Sequence, residues 1–124
     1  MVDKISSWKY AEEFVDETDA MLRARARADE LGIECITAAT GAHLAMLVSA
    51  IGAKAIVEAG SGAGLSGLWL LSGNADCVLA TSDTESEHQT AAKASFRDGK
   101  IAATRTRVIN GNATEVMSNM ADSA

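Results

Sequence analysis

Four glycines fall within eight residues, Gly60, Gly62, Gly64 and Gly67, and they restrict what this chain can fold into more than any other feature. The apolar run Ala55-Ile-Val ends in an acid, Glu58, just before them, and the apolar segment Leu68-Trp-Leu-Leu follows at once. An apolar run, a glycine turn and a helix-like segment, in that order, predict a strand that feeds a helix through a tight turn. Such a turn presents free backbone N–H groups at a helix N-terminus. Four glycines cost conformational entropy on folding, which a tight turn or a close backbone approach justifies.

The rest of the sequence supports that turn. The 124 residues suffice for one domain with one modest core. The formal charge of −6 argues against a broad nucleic-acid footprint, although a nucleoside read by local groups stays possible. No apolar run is long enough to span a bilayer, and the first residues lack the apolar core of a signal peptide, so the expectation is a cytoplasmic chain with no membrane partner. Cys35 and Cys77 have neither metal-ligand spacing nor a disulfide-rich context, and read as small buried or half-buried thiols.

Taken in order, residues 8–31 read as one long helix, acidic in its first half and carrying Arg23, Arg25 and Arg27 in its second, with a solvated, charge-balanced face and Gly32 as its stop. A second helix is expected over residues 38–51, capped by Thr37 and ended by Gly52, with Leu44, Leu47, Val48 and Ile51 as its apolar stripe. His43 in that helix reads as structural or surface. Strands are expected at residues 55–59, 78–83 and 105–109, and helices at 64–73, 85–97 and 114–120. Strands alternating with helices imply parallel pairing, with the order 3-2-1 of half a doubly wound sheet. The organisation is a single domain over residues 1–124: a helical part at 1–52 and a βαβαβα half at 53–124.

Gly62-x-Gly64-x-x-Gly67 fits a dinucleotide fingerprint, and Asp83, nineteen residues beyond Gly64, stands where a carboxylate receives both ribose hydroxyls. Spacing alone leaves a dinucleotide and an S-adenosyl ligand both open. Glu58 tilts the choice, because a carboxylate against the turn repels a pyrophosphate. It favours a ligand with a cationic end, such as the amino group and sulfonium of S-adenosylmethionine (SAM).

The stretch Val57-Glu-Ala-Gly-Ser-Gly-Ala-Gly-Leu-Ser-Gly-Leu-Trp-Leu resembles the first motif of the small cation-dependent O-methyltransferases related to catechol and caffeoyl-CoA O-methyltransferases, bacterial type. Ile36-Thr-Ala-Ala-Thr-Gly41 is similar to the segment before that motif, Leu79 to His88 to the ribose-binding strand end, and Val108 to Val116 to the turn along the adenine. The resemblance implies an α/β, Rossmann-like SAM-dependent methyltransferase fold, and transfer of a methyl group to a hydroxyl of a small molecule with S-adenosylhomocysteine (SAH) as product. It places the backbone of Ile36, Gly60, Ser61, Gly62 and Gly64 along the cofactor and Glu58 at the methionyl amino group. Ser66 falls at the carboxylate, Asp83 at the ribose, and Asn112 and Ala113 at the adenine. Leu65 replaces a frequent aromatic, Ser86 a frequent proline, and Asn112 a frequent aspartate.

The family's Mg²⁺ ligands and acceptor-side segments have no counterpart in these residues, so the sequence reads as a chain truncated after the third strand, lacking the catalytic half. No catalytic or metal-binding residue is assigned, and His88 reads as a surface helix residue. The first strand would then form an open sheet edge, and a homodimer or completion by another chain is expected there. A NAD(P)- or FAD-binding half-domain and a non-catalytic dimerisation module are the alternatives.

Overall fold

A computed structural model describes residues 3–120. The elements run α1 (Lys4–Phe14), α2 (Asp19–Leu31), α3 (Ala38–Ile51), β1 (Ala55–Ala59), α4 (Leu65–Ser72), β2 (Val78–Asp83), α5 (Ser86–Asp98), a 3-10 turn (Ala103–Arg105), β3 (Thr106–Asn110) and α6 (Ala113–Met120). The strands are parallel in the order β1-β2-β3, which is the expected 3-2-1 half-sheet. Thr37 caps α3 through its hydroxyl, and Gly32 and Gly52 end α2 and α3 in left-handed conformations, as their positions in the sequence suggested.

The long helix expected at residues 8–31 is two helices. Val15 turns extended, and the Thr18 hydroxyl accepts the Met21 amide to restart the chain as α2. Glu17 lies in the break. Its carboxylate takes both Nε and Nη2 of Arg25 at 2.9 Å and the Trp69 indole N–H at 3.1 Å. This part-buried fork holds Glu17 in the break. The acids at the end of α1 also serve a different helix from the one expected. Glu12 accepts the Ala38 and Ala39 amides, both at 3.1 Å, and so caps the N-terminus of α3. Nor are the arginines of α2 merely solvated: Arg23 and Arg27 both reach Asp98, fastening α2 to α5.

The core lies between α2–α5 and one face of the sheet, where Leu68, Leu71, Leu79, Ala92 and Phe96 are buried. Close approach at Gly67 makes this possible, since a Cβ there would stand 2.9 Å from Leu79 and from the Phe96 ring. Cys77 is buried and Cys35 half-buried, both free thiols. The stripe of α3 is only partly used: Val48 is buried, whereas Leu47 and Ile51 are exposed. The opposite face of the sheet is open at Val57, 39% exposed, and Val78, 41% exposed. Among the described residues β1 pairs with β2 alone and is an outer strand. Parallel sheets are ordinarily covered on both faces.

Arg105, expected as the first residue of the third strand, instead precedes it and ties the layer together. Its Nε donates to the Cys77 carbonyl at 3.0 Å, and Nη2 donates to the carbonyls of Leu71 at 3.0 Å and Asn74 at 2.7 Å. These groups join the end of α4 to the start of β2. Arg105→Ala is expected to destabilise the fold by about 1.5–3 kcal/mol, the worth of hydrogen bonds to a charged group, and thermal unfolding would read it. Arg105→Lys should recover only part, because an ammonium cannot reproduce the fork.

Candidate functional site

The site forms where the C-terminal ends of β1 and β2 meet the glycine turn. Register sets Glu58 of β1 beside Thr81 of β2. The Thr81 hydroxyl donates to Glu58 Oε1 at 2.7 Å, and the Ser66 hydroxyl, from the first turn of α4, donates to Oε2 at 2.5 Å. Behind Thr81 lies Ser61, their hydroxyl oxygens 2.8 Å apart. Burial pushes the Glu58 carboxyl above its ordinary range, against the opposing pull of the Ser66 and Thr81 hydroxyls.

Asp83 closes β2. Oδ1 accepts the Glu85 amide at 3.0 Å, Oδ2 accepts the Gly62 amide at 3.1 Å, and His88 Nδ1 stands 3.4 Å from Oδ2. Burial works against ionisation here, but the amides of Glu85 and Gly62, together with His88, outweigh it and hold Asp83 below the usual carboxylate range. Asp83 is thus a carboxylate at neutral pH and also the anchor of the glycine turn.

Four amides of the turn are taken up within the fold. The N–H groups of Gly60 and Ser61 both donate to the Ser82 carbonyl, at 2.8 and 3.0 Å, and Gly64 N–H donates to the Ser61 carbonyl at 3.0 Å. With Gly62 committed to Asp83, the turn uses these amides to fold over the end of β2. The two carboxylates and the first turn of α4 face an open cavity instead.

A cavity of about 500 Å³ is lined by Ile36, Glu58, Gly60, Ser61, Gly62, Ser66 and Asp83, with Cys35 and His88 on its wall. A second hollow of about 340 Å³ is lined by Asn112 and Ala113, and the two share Gly60 and Asp83. Gly64 lies outside both. It has φ +91°, and a Cβ there would come within 3.1 Å of the Ala92 backbone, so it packs the turn onto α5. Ser66, expected at a ligand carboxylate, has its hydroxyl on Glu58. Two residues of the site went unread in the sequence. His88, taken for a surface residue, lines the cavity because the first turn of α5 brings it back over Asp83. Thr81 belongs to it because residues 81 and 83 share a face of β2. His43 is exposed, as expected. Among the described residues no group of three or more His, Cys, Asp or Glu is placed to hold a metal ion.

A Mycobacteroides abscessus protein named, provisionally, as an O-methyltransferase is 49% identical to this chain over 114 residues, covering 91% of the chain and 53% of that protein. A Corynebacterium glutamicum protein of known structure is 33% identical, with a TM-score of 0.82 over 94% of this chain and 56% of its own. By sequence the chain is similar to proteins provisionally named as O-methyltransferases, over about half of their length. The same fold occurs in the O-methyltransferase TomG of Streptomyces achromogenes, solved in complex with SAM: 22% identity and a TM-score of 0.81, over 90% of this chain and 51% of TomG. No family model matches. The chain spans about half the length of the relatives it matches. Among the described residues no helix is long and apolar enough to cross a membrane.

Proposed function

We propose that the groove binds SAM and that the chain is the donor-binding portion of an O-methyltransferase acting on a hydroxyl of a small molecule. The disposition of the turn carries this reading over a dinucleotide. The amides of Gly60, Ser61 and Gly62 are committed to Ser82 and Asp83, and the cavity wall carries the Glu58 carboxylate. A pyrophosphate would find those donors spent and a like charge waiting, in surroundings where charge repulsion is poorly screened. An ammonium and a sulfonium suit the same wall.

In this reading Glu58 receives the amino end of the ligand and Asp83 the ribose hydroxyls. Asn112 and Ala113 lie beside the adenine, and the first turn of α4 faces the ligand carboxylate. The acceptor oxygen attacks the methyl carbon in line. The carbon–sulfur bond breaks, its electron pair stays on sulfur to give SAH, and the hydroxyl proton leaves to a base. These residues hold and orient the donor; the Mg²⁺ of the resembled family finds no ligand set among residues 3–120.

Calorimetric titration of the folded 124-residue chain tests the reading. SAM and SAH are expected to bind and NADH to neither bind nor compete; competition by NADH, or no binding of SAH, would count against it. The pH dependence has a definite sign. The protonated amino group of SAH needs Glu58 ionised, and burial raises the Glu58 pKa above 4.5. SAH affinity should therefore rise as pH climbs through that raised value and fall below it, and Glu58→Gln should bind weakly with the slope removed.

The outer edge of β1 and the exposed Val57 and Val78 favour a further polypeptide layer, supplied by a second copy or by another chain. If a second copy supplies it, light scattering should give a mass above that of the monomer, and a strict monomer at all concentrations would leave only another chain as the source.

A further inference from the structure

Glu58 is held by hydroxyls on both oxygens, and one of these hydroxyls belongs to a buried chain beneath the glycine turn. Thr81 is 0% and Ser61 2% exposed, so both are buried, although Ser61 borders the cavity. Their geometry admits one consistent proton order for an ionised Glu58. The Ser61 hydroxyl donates to Thr81 Oγ1, and the Thr81 hydroxyl donates to Glu58 Oε1. An ionised carboxylate only accepts, so the threonine must donate, and its own oxygen is then free to take the serine's proton. Ser66 supplies the other oxygen from a position on the cavity wall, whereas Thr81 supplies the only contact from inside the sheet.

We infer that Thr81, backed by Ser61, is a positioning residue that fixes the Glu58 carboxylate toward the amino end of the ligand. The inference rests on the SAM reading and deepens it. Aligned hydroxyls in a poorly polarisable interior strengthen one another, and they hold the carboxylate in one rotamer before the ligand arrives. Glu34 and Cys35 between α2 and α3, Asp83 of β2 and His88 of α5 share the cavity wall. None of them hydrogen-bonds Glu58, whose ionisation is set by burial and the two hydroxyls. A change at Thr81 should therefore act on one end of the ligand alone.

Two probes separate the ends: SAH, and 5′-methylthioadenosine, which keeps the adenine and ribose but has no amino-acid end. Thr81→Val is nearly isosteric and replaces the hydroxyl with a methyl group. It is expected to weaken SAH roughly tenfold at pH 7, the scale of one hydrogen bond to a charged group. It should also move the pH midpoint of SAH binding upward and leave methylthioadenosine unchanged. Thr81→Ser should restore SAH binding, and in a Glu58→Gln background Thr81→Val should have no further effect. If Thr81→Val does not fold, Ser61→Ala takes its place, with a smaller loss, about threefold, of the same selective kind. Unchanged SAH affinity in the folded variant, or equal losses for both probes, would overturn the inference while leaving the SAM site standing. A wild-type chain that binds neither probe would overturn the SAM reading and this inference together.

Discussion

Asp83→Ala is expected to lower SAH affinity at least a hundredfold and to lower the melting temperature as well. The two effects have separate causes at one carboxylate. The ribose loses its acceptor, and the amides of Gly62 and Glu85 lose theirs. The Gly62 amide is part-buried and loses its partner, whereas the exposed Glu85 amide can turn to water, so the turn should loosen by about 1 kcal/mol even without ligand. Asp83→Asn keeps one acceptor oxygen and should fall between wild type and alanine in both measurements. Calorimetry with SAH and a thermal melt of the free protein read the two effects independently. A variant with normal melting and normal SAH binding would remove Asp83 from both roles.

Gly41→Ala is expected to be the most damaging single methyl group. A Cβ at residue 41 would lie 2.3 Å from the Trp69 ring, where α3 crosses α4. Trp69 is buried, and its indole N–H is fixed on Glu17, which is itself held by Arg25. The ring cannot retreat without breaking that bond. Overpacking of this kind costs about 1–3 kcal/mol, and the lost hydrogen bond adds to it. Gly52→Ala is the useful contrast. Nothing lies within 4 Å of a Cβ there, and the penalty is the left-handed backbone at φ +60° alone. That should amount to about 1 kcal/mol. Thermal or denaturant unfolding should rank the two variants in that order.

What could be read from the sequence was local. The strand, glycine turn and helix at residues 55–73, the Thr37 cap and the stops at Gly32 and Gly52 follow from backbone chemistry within a few residues. The acid at the end of β2 followed from spacing. What could not be read depends on partners distant in sequence. The break before Thr18 is stabilised by Trp69, fifty-two residues away, and Glu12 caps a helix twenty-six residues on. Arg105 looked like a strand residue because its carbonyl partners are gathered only by the folded α4–β2 connection. Thr81 looked like an ordinary strand residue for the same reason, as its value lies in register with Glu58. The glycine pattern was read correctly as a turn that feeds a helix N-terminus, and only the fold shows that the end of β2 takes the amides of Gly60, Ser61 and Gly62.

The most direct measurement is a crystal structure of the chain with SAH. The ligand should lie across both hollows, with its ribose hydroxyls within hydrogen-bond distance of Asp83 and its amino group at Glu58. The adenine should lie beside Asn112 and Ala113. A ligand seated elsewhere, or one reversed so that its adenine lies against Glu58, would contradict the assignment of this groove to the methyl donor.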